Sequence, residues 1–332
     1  MTMLALFESV LLLVGLILLG VLLRVRGLLS DAHAPVLARL VTQVTLPALL
    51  FSALVRAPLE AVYSELAAIM FGAELISLGL GWGLARLLRL GPAQAAAAIL
   101  TAGFGSSSLL GYPLIAEVFS DDAAALSEAA MISELGVGPA LFTLGTLIAA
   151  YLGAKAARVS GITDQAAGSV TTAQHSPGRA ALAFFYSPIF MALCLGTLWS
   201  FAGISPEGPV VGTALRAIDL IAAANSFLVA LSVGLAIRFQ GLRAILWVAL
   251  GVGLIKLVLK PILVWLPSLA LPLSVMQLEV LIIEAAMPSA LLAVVLARRY
   301  GCDAELASQL VLATSLGCLF SMLLMTPVLG LS

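Results

Sequence analysis

Residues 103–113 read Gly-Phe-Gly-Ser-Ser-Ser-Leu-Leu-Gly-Tyr-Pro, and apolar sequence flanks them on both sides. Such a run does not continue a helix. Glycine is too free, and proline lacks a donor and clashes with the preceding turn. In a water-soluble protein it would read as a surface loop. Its meaning here depends on the segments around it.

Those segments exclude a soluble protein. Of 332 residues, 62% are hydrophobic and only 10% are charged, and the mean hydropathy is +1.16. A soluble domain carries about a quarter charged residues. Lipid must therefore cover most of the outside, which restricts the backbone to helices or a closed barrel. The apolar runs are long and continuous, as in residues 4–23, 181–202 and 244–256. Barrel strands are short and alternate, so the expected class is all-α. The first run lacks a positive flank and a small-residue cleavage site, so it reads as a permanent helix.

Cutting at charges and at Pro/Gly punctuation gives ten segments of roughly 20 residues each. They start near Met3, Ala34, Val62, Ala93, Ala123, Ala181, Val211, Leu242, Met276 and Glu305. A polar linker at 155–179 separates residues 1–154 from 180–332, five segments on each side. With alternating spans, Arg24, Arg26, Arg39, Arg86, Arg89, Lys155, Arg158, Arg179, Arg238, Arg243, Arg298 and Arg299 all share one face. The opposite connections hold Arg56 beside Glu60, Glu117, Asp121, Asp122 and Glu207. Positive-inside bias then puts the linker in the cytoplasm and both termini outside.

An odd number of spans per half makes the second half enter from the other face. That permits an inverted repeat, whose mark is an interrupted helix at matching places. The ninth segment supplies the counterpart in Glu284-Ala285-Ala286-Met287-Pro288-Ser289-Ala290. Pro113 and Pro288 thus both fall in the fourth span of their half. Backbone groups freed there must line a cavity or meet protein groups, and half-helix N-termini favour an anion. An ordinary proline kink is the alternative.

The run Gly111-Tyr112-Pro113-Leu114 resembles the Gly-x-Pro-Leu element of the auxin efflux carrier family. That family includes plant auxin exporters and bacterial carboxylate carriers, malonate carriers among them. Residues 285–290, Leu296-Ala297 and Tyr300-Gly301 are similar to its ninth-helix motif, and residues 46–51 to its second-helix signature. The family commonly has Asn seven residues before the fourth-helix proline, where this chain has Ser106. Serine lacks an amide's paired donor and acceptor. The resemblance implies helices 4 and 9 crossing near the midplane. It also implies a transport domain of helices 3–5 and 8–10, a scaffold of helices 1, 2, 6 and 7, and a homodimer.

Ionisable residues inside a membrane are costly and often functional. Glu74, Glu134, Glu284 and Lys256 fall deep within segments and are the candidates for coupling or charge relay. A structural ion pair is the plain alternative for each. Ser106, Ser107 and Ser108, with Pro113, Asn225, Pro288 and Ser289, are the candidate substrate contacts. Lys260 and Glu8 are expected to snorkel to an outer end. Arg216 and Asp219, spaced i,i+3, are expected to pair with each other.

No phosphate loop, nucleophile elbow or metal-ligand spacing occurs, so no cofactor, metal or enzymatic activity is expected. A net charge of −1 gives no footprint for nucleic acid. The expectation is a secondary transporter in the bacterial inner membrane. It would move a mono- or dicarboxylate by alternating access, with proton or sodium coupling or none. A sodium-coupled organic-anion symporter is the alternative, and an intramembrane enzyme a remoter one.

Overall fold

The computed structural model describes residues 3–30, 32–56, 61–119, 122–159, 185–206, 208–236 and 245–328. Helices dominate them. Met3–Val25, Val62–Leu87 and Ala304–Val328 are long and unbroken, while other apolar segments are built from helical pieces joined end to end. The expected starts at Ala181 and Leu242, and most of the 155–179 linker, lie outside the described residues. Among the described residues, five helices are long and apolar enough to cross a membrane: Val36–Arg56, Val62–Leu87, Ala123–Val159, Val211–Leu235 and Leu246–Ser268.

The joints between pieces are π-helical turns, at Val41–Thr45, Ser107–Gly111, Ile132–Val137, Leu141–Gly145 and Ile255–Leu259. Four of these five end two residues before a proline, namely Pro47, Pro113, Pro139 and Pro261. The physical cause is local. A proline ring clashes with the carbonyl four residues earlier and leaves it without its N–H partner. A wider turn moves that carbonyl aside without ending the helix. π turns of this kind are frequent at functional sites.

Burial is inverted relative to a soluble fold. Phe201, Trp247, Leu220 and Leu87 are exposed, whereas Glu74, Lys256, Lys260 and Glu284 are buried. An apolar outside around a charged inside is what a lipid solvent demands.

The helices pack in two sets. In one, Pro188–Phe201 and Pro209–Ala223 lie on Leu46–Arg56, and Met3–Val25 runs along Asn225–Ala236. In the other, Pro92–Gly103 packs against Val62–Leu87, Thr146–Val159 and Ala304–Val328, while Lys260–Ser268 joins Val62–Leu87 to Val275–Ala286. The sets meet where Leu46–Arg56 touches Ala123–Met131 and where Met3–Val25 touches Tyr112–Val118.

Candidate functional site

The helix Pro92–Gly103 stops where the sequence turns to Gly-Phe-Gly-Ser, and Val275–Ala286 stops at Met287-Pro288. Phe104, Met287 and Ala290 all have extended backbone. The two gaps satisfy each other. The Ser106 N–H donates to the Pro288 carbonyl at 2.8 Å, and the Ala290 N–H donates to the Phe104 carbonyl at 2.9 Å. Gly105 and Ser289 stand opposite each other as an antiparallel bridge. Helix resumes at Ser107 on one chain segment and at Leu291 on the other. Pro288 serves this junction with its carbonyl and has no N–H to leave unpaired.

Two glycines decide what surrounds the junction. A Cβ on Gly105 would sit 2.7 Å from the Lys256 Nζ, and one on Gly111 would sit 2.6 Å from the Glu284 Oε1. Each glycine is therefore the space that a buried ionisable group occupies. Lys256 is 0% exposed and Glu284 is 1% exposed; no carboxylate is bonded to the Lys256 nitrogen, and the Glu284 carboxyl has only the Ser107 hydroxyl beside it. Lys256 is placed by the π turn Ile255–Leu259. Leaving a buried polar group unmade costs several kcal/mol, so an ordinary packing role for this pair is a poor bargain.

Lys260 and Glu134 nearby are engaged. Lys260, one turn beyond Lys256 and 1% exposed, forms an ion pair with Glu74 and donates to the Gly103 carbonyl at 3.1 Å. A cation thus closes the C-terminal end of the interrupted helix, where the helix dipole favours it. Glu134, on the π turn Ile132–Val137, accepts from the Tyr112 hydroxyl at 3.0 Å.

Two expectations are corrected. Lys260 does not snorkel: it is enclosed, because Glu74 lies 186 residues away in sequence but adjacent in space. Asp219 does not pair with Arg216. It accepts from Arg56 at 2.8 Å and from Ser52 at 2.5 Å, and Arg56 also meets Ser52, while Arg216 donates to Thr213 at 3.2 Å. The side chains of Ser108 and Glu8 lie outside the described residues.

The structure separates the remaining candidates. Ser106 and Ser107 are buried at the junction, with the Ser107 hydroxyl beside the Glu284 carboxyl. The Ser289 hydroxyl donates to the Thr101 carbonyl at 2.6 Å, and its N–H donates to the Thr314 hydroxyl at 3.1 Å, so it holds the junction together. Asn225 accepts from Thr45 at 2.8 Å at the π turn Val41–Thr45, leaving its amide nitrogen without a partner. Sequence reasoning does not single out Gly105, Gly111 and Tyr112, which contact Lys256, Glu284 and Glu134. The signal for the glycines was present, since each lies in the interrupted stretch.

Comparison with known proteins gives the same answer along the whole chain. The profile of the family described as membrane transport protein matches residues 5–326. An uncharacterised transporter of Methanothermobacter thermautotrophicus is 29% identical over 330 residues, 97% of this chain and 98% of that one. An uncharacterised transporter of Methanocaldococcus jannaschii is 22% identical over 312 residues, 93% and 94% of the two chains. A multi-pass helical protein whose two interrupted segments bond to each other, matched from residue 5 to 326, belongs to the auxin efflux carrier family of membrane transporters.

Proposed function

We propose that this chain is a secondary transporter that carries a small carboxylate across the bacterial inner membrane by alternating access. The observation that carries the reading is Lys256: a fully buried lysine nitrogen with no carboxylate bonded to it, beside the backbone of an interrupted helix. A carboxylate entering there would satisfy the ammonium and meet the N–H groups that open a helix, including those at Leu291. Charge-assisted bonds of this kind contribute about 1.5–3 kcal/mol each.

The architecture that suits this role is ten spans in two inverted halves, with the breaks near the midplane. The two packing sets support a mobile domain of helices 3–5 and 8–10 against a scaffold of helices 1, 2, 6 and 7. The distribution of arginines supports a cytoplasmic linker and external termini. A homodimer through the scaffold is part of the same proposal. Ser106, Ser107 and the Asn225 amide are the polar groups offered to the substrate beside Lys256.

The test is a thermal-shift panel of acetate, malonate and succinate on purified protein, followed by flux of the best ligand into proteoliposomes. A ligand that binds the folded state raises its apparent stability by mass action. Stabilisation and saturable flux of at least one carboxylate are expected. Binding without flux would make the chain a sensor, and a chemically altered product would make it an enzyme. Flux driven by a sodium gradient would favour the sodium-symport reading.

A further inference from the structure

Glu284 sits at the same junction as Lys256 and is not used by the anion site itself. Its carboxyl fills the space that Gly111 leaves, is 1% exposed, and has no cation bonded to it, only the Ser107 hydroxyl beside it. A carboxylate in that position opposes any anion drawn in by Lys256. We propose that Glu284 is a proton carrier, so that each carboxylate crosses the membrane together with one proton.

Charge counting supplies the mechanism. Lys256 and Glu284 are within electrostatic reach of each other, though not bonded. When the site is empty, Lys256 and Glu284 hold one proton fewer than their fully protonated forms, and the pair is neutral overall. When a substrate carboxylate takes the ammonium, the site holds one negative charge too many unless Glu284 takes up a proton from water on the loading side. The neutral acid then accompanies the bound anion, and both are released on the other side. The proton leaves to water there, and Glu284 again faces Lys256 for the return. For a monocarboxylate every state is then neutral. For a dicarboxylate such as malonate the proton lowers the loaded state from two net negative charges to one, which is the direction a low-dielectric interior requires.

The neighbouring charges leave this role to Glu284. On the helices packed against Val275–Ala286, Lys260 and Glu74 cancel each other. Cys318 donates to the Ala286 carbonyl. Glu128 on the facing helix and Glu279 on the same helix are engaged in interactions of their own. Glu134 is within electrostatic reach of Glu284, but it already accepts from the Tyr112 hydroxyl. Ser107, buried beside the carboxyl, stands at the start of the turn that ends at Gly111 and can bond whichever form of the acid is present.

This inference rests on the carboxylate reading, so the test has one arm that needs no substrate. Infrared difference spectra of empty protein, acid minus alkaline, should contain a carboxylic C=O band that is absent in Glu284→Gln. In proteoliposomes with the membrane potential clamped at zero, wild type should concentrate malonate about tenfold per pH unit of imposed gradient. Calorimetry in buffers of different ionisation enthalpy should count about one proton taken up per malonate bound, and about none in Glu284→Gln.

No band assignable to Glu284, or wild-type malonate flux indifferent to the pH gradient, overturns the proposal. If the variant does not fold, the wild-type proton count and gradient response decide alone. If the band is present but malonate neither binds nor moves at any pH, the carboxylate reading fails while the titration of Glu284 stands.

Discussion

Lys256 and Lys260 are one helical turn apart, both fully buried, and they are opposites. Lys260 has an ion pair with Glu74 and a helix-end carbonyl; Lys256 has Gly105 cleared away in front of it and no carboxylate bonded to it. A buried charge that is satisfied reports on architecture. One that is kept bare, at a cost, reports on something that arrives later. The pair therefore separates the part of the charged interior that builds the junction from the part that we propose uses it.

Breaking the satisfied side should have the largest effect. Glu74→Gln leaves Lys260 buried without its counter-charge, a loss of about 3–5 kcal/mol. Thermal unfolding should fall steeply, and Glu74→Leu with Lys260→Met should recover most of it. Lys256→Met should do the reverse: stability equal to or above wild type, with carboxylate affinity down about tenfold to a hundredfold. Equal destabilisation by both changes would remove the distinction between the lysines.

Filling the cleared spaces sharpens the comparison. Gly105→Ala and Gly111→Ala each place a methyl inside contact distance of an ionisable group, at 2.7 Å from the Lys256 Nζ and 2.6 Å from the Glu284 Oε1. Overpacking of this kind costs about 1–3 kcal/mol. Flux should drop in both, whereas alanine at Gly253, where nothing lies within 4 Å, should leave flux alone. The smallest effect belongs to the half-exposed Arg56–Asp219 pair. Asp219→Asn should change stability by about 0.2–1 kcal/mol, read by thermal melts at low and high salt.

Much of this was legible in the sequence. Segments expected at Met3, Ala34, Val62 and Ala123 begin there, because apolar length and punctuation are local signals. The helix ends at Gly103 and Ala286 were legible for the same reason: glycine and proline act on their own backbone. The partner of each charge was not. Counting residues from a helix end placed Lys260 near an interface, but Glu74 and the end of the Pro92–Gly103 helix enclose it. Helical spacing suggested Arg216 for Asp219, while the partner, Arg56, is 163 residues away. The π turns were also missed, although a mid-segment proline announces four of them. Their consequence, carrying Lys256 and Glu134 to the crossing, depends on helix rotation that spacing rules do not follow.

The central claim is that Lys256 is held bare for a carboxylate. The direct measurement is malonate affinity by calorimetry for wild type, Lys256→Met and the Glu74→Leu/Lys260→Met double variant, each first shown to be folded. The account predicts binding weakened about tenfold or more in Lys256→Met and largely kept in the double variant. Unchanged affinity in Lys256→Met, with loss confined to the double variant, would contradict it and move the anion site to Lys260.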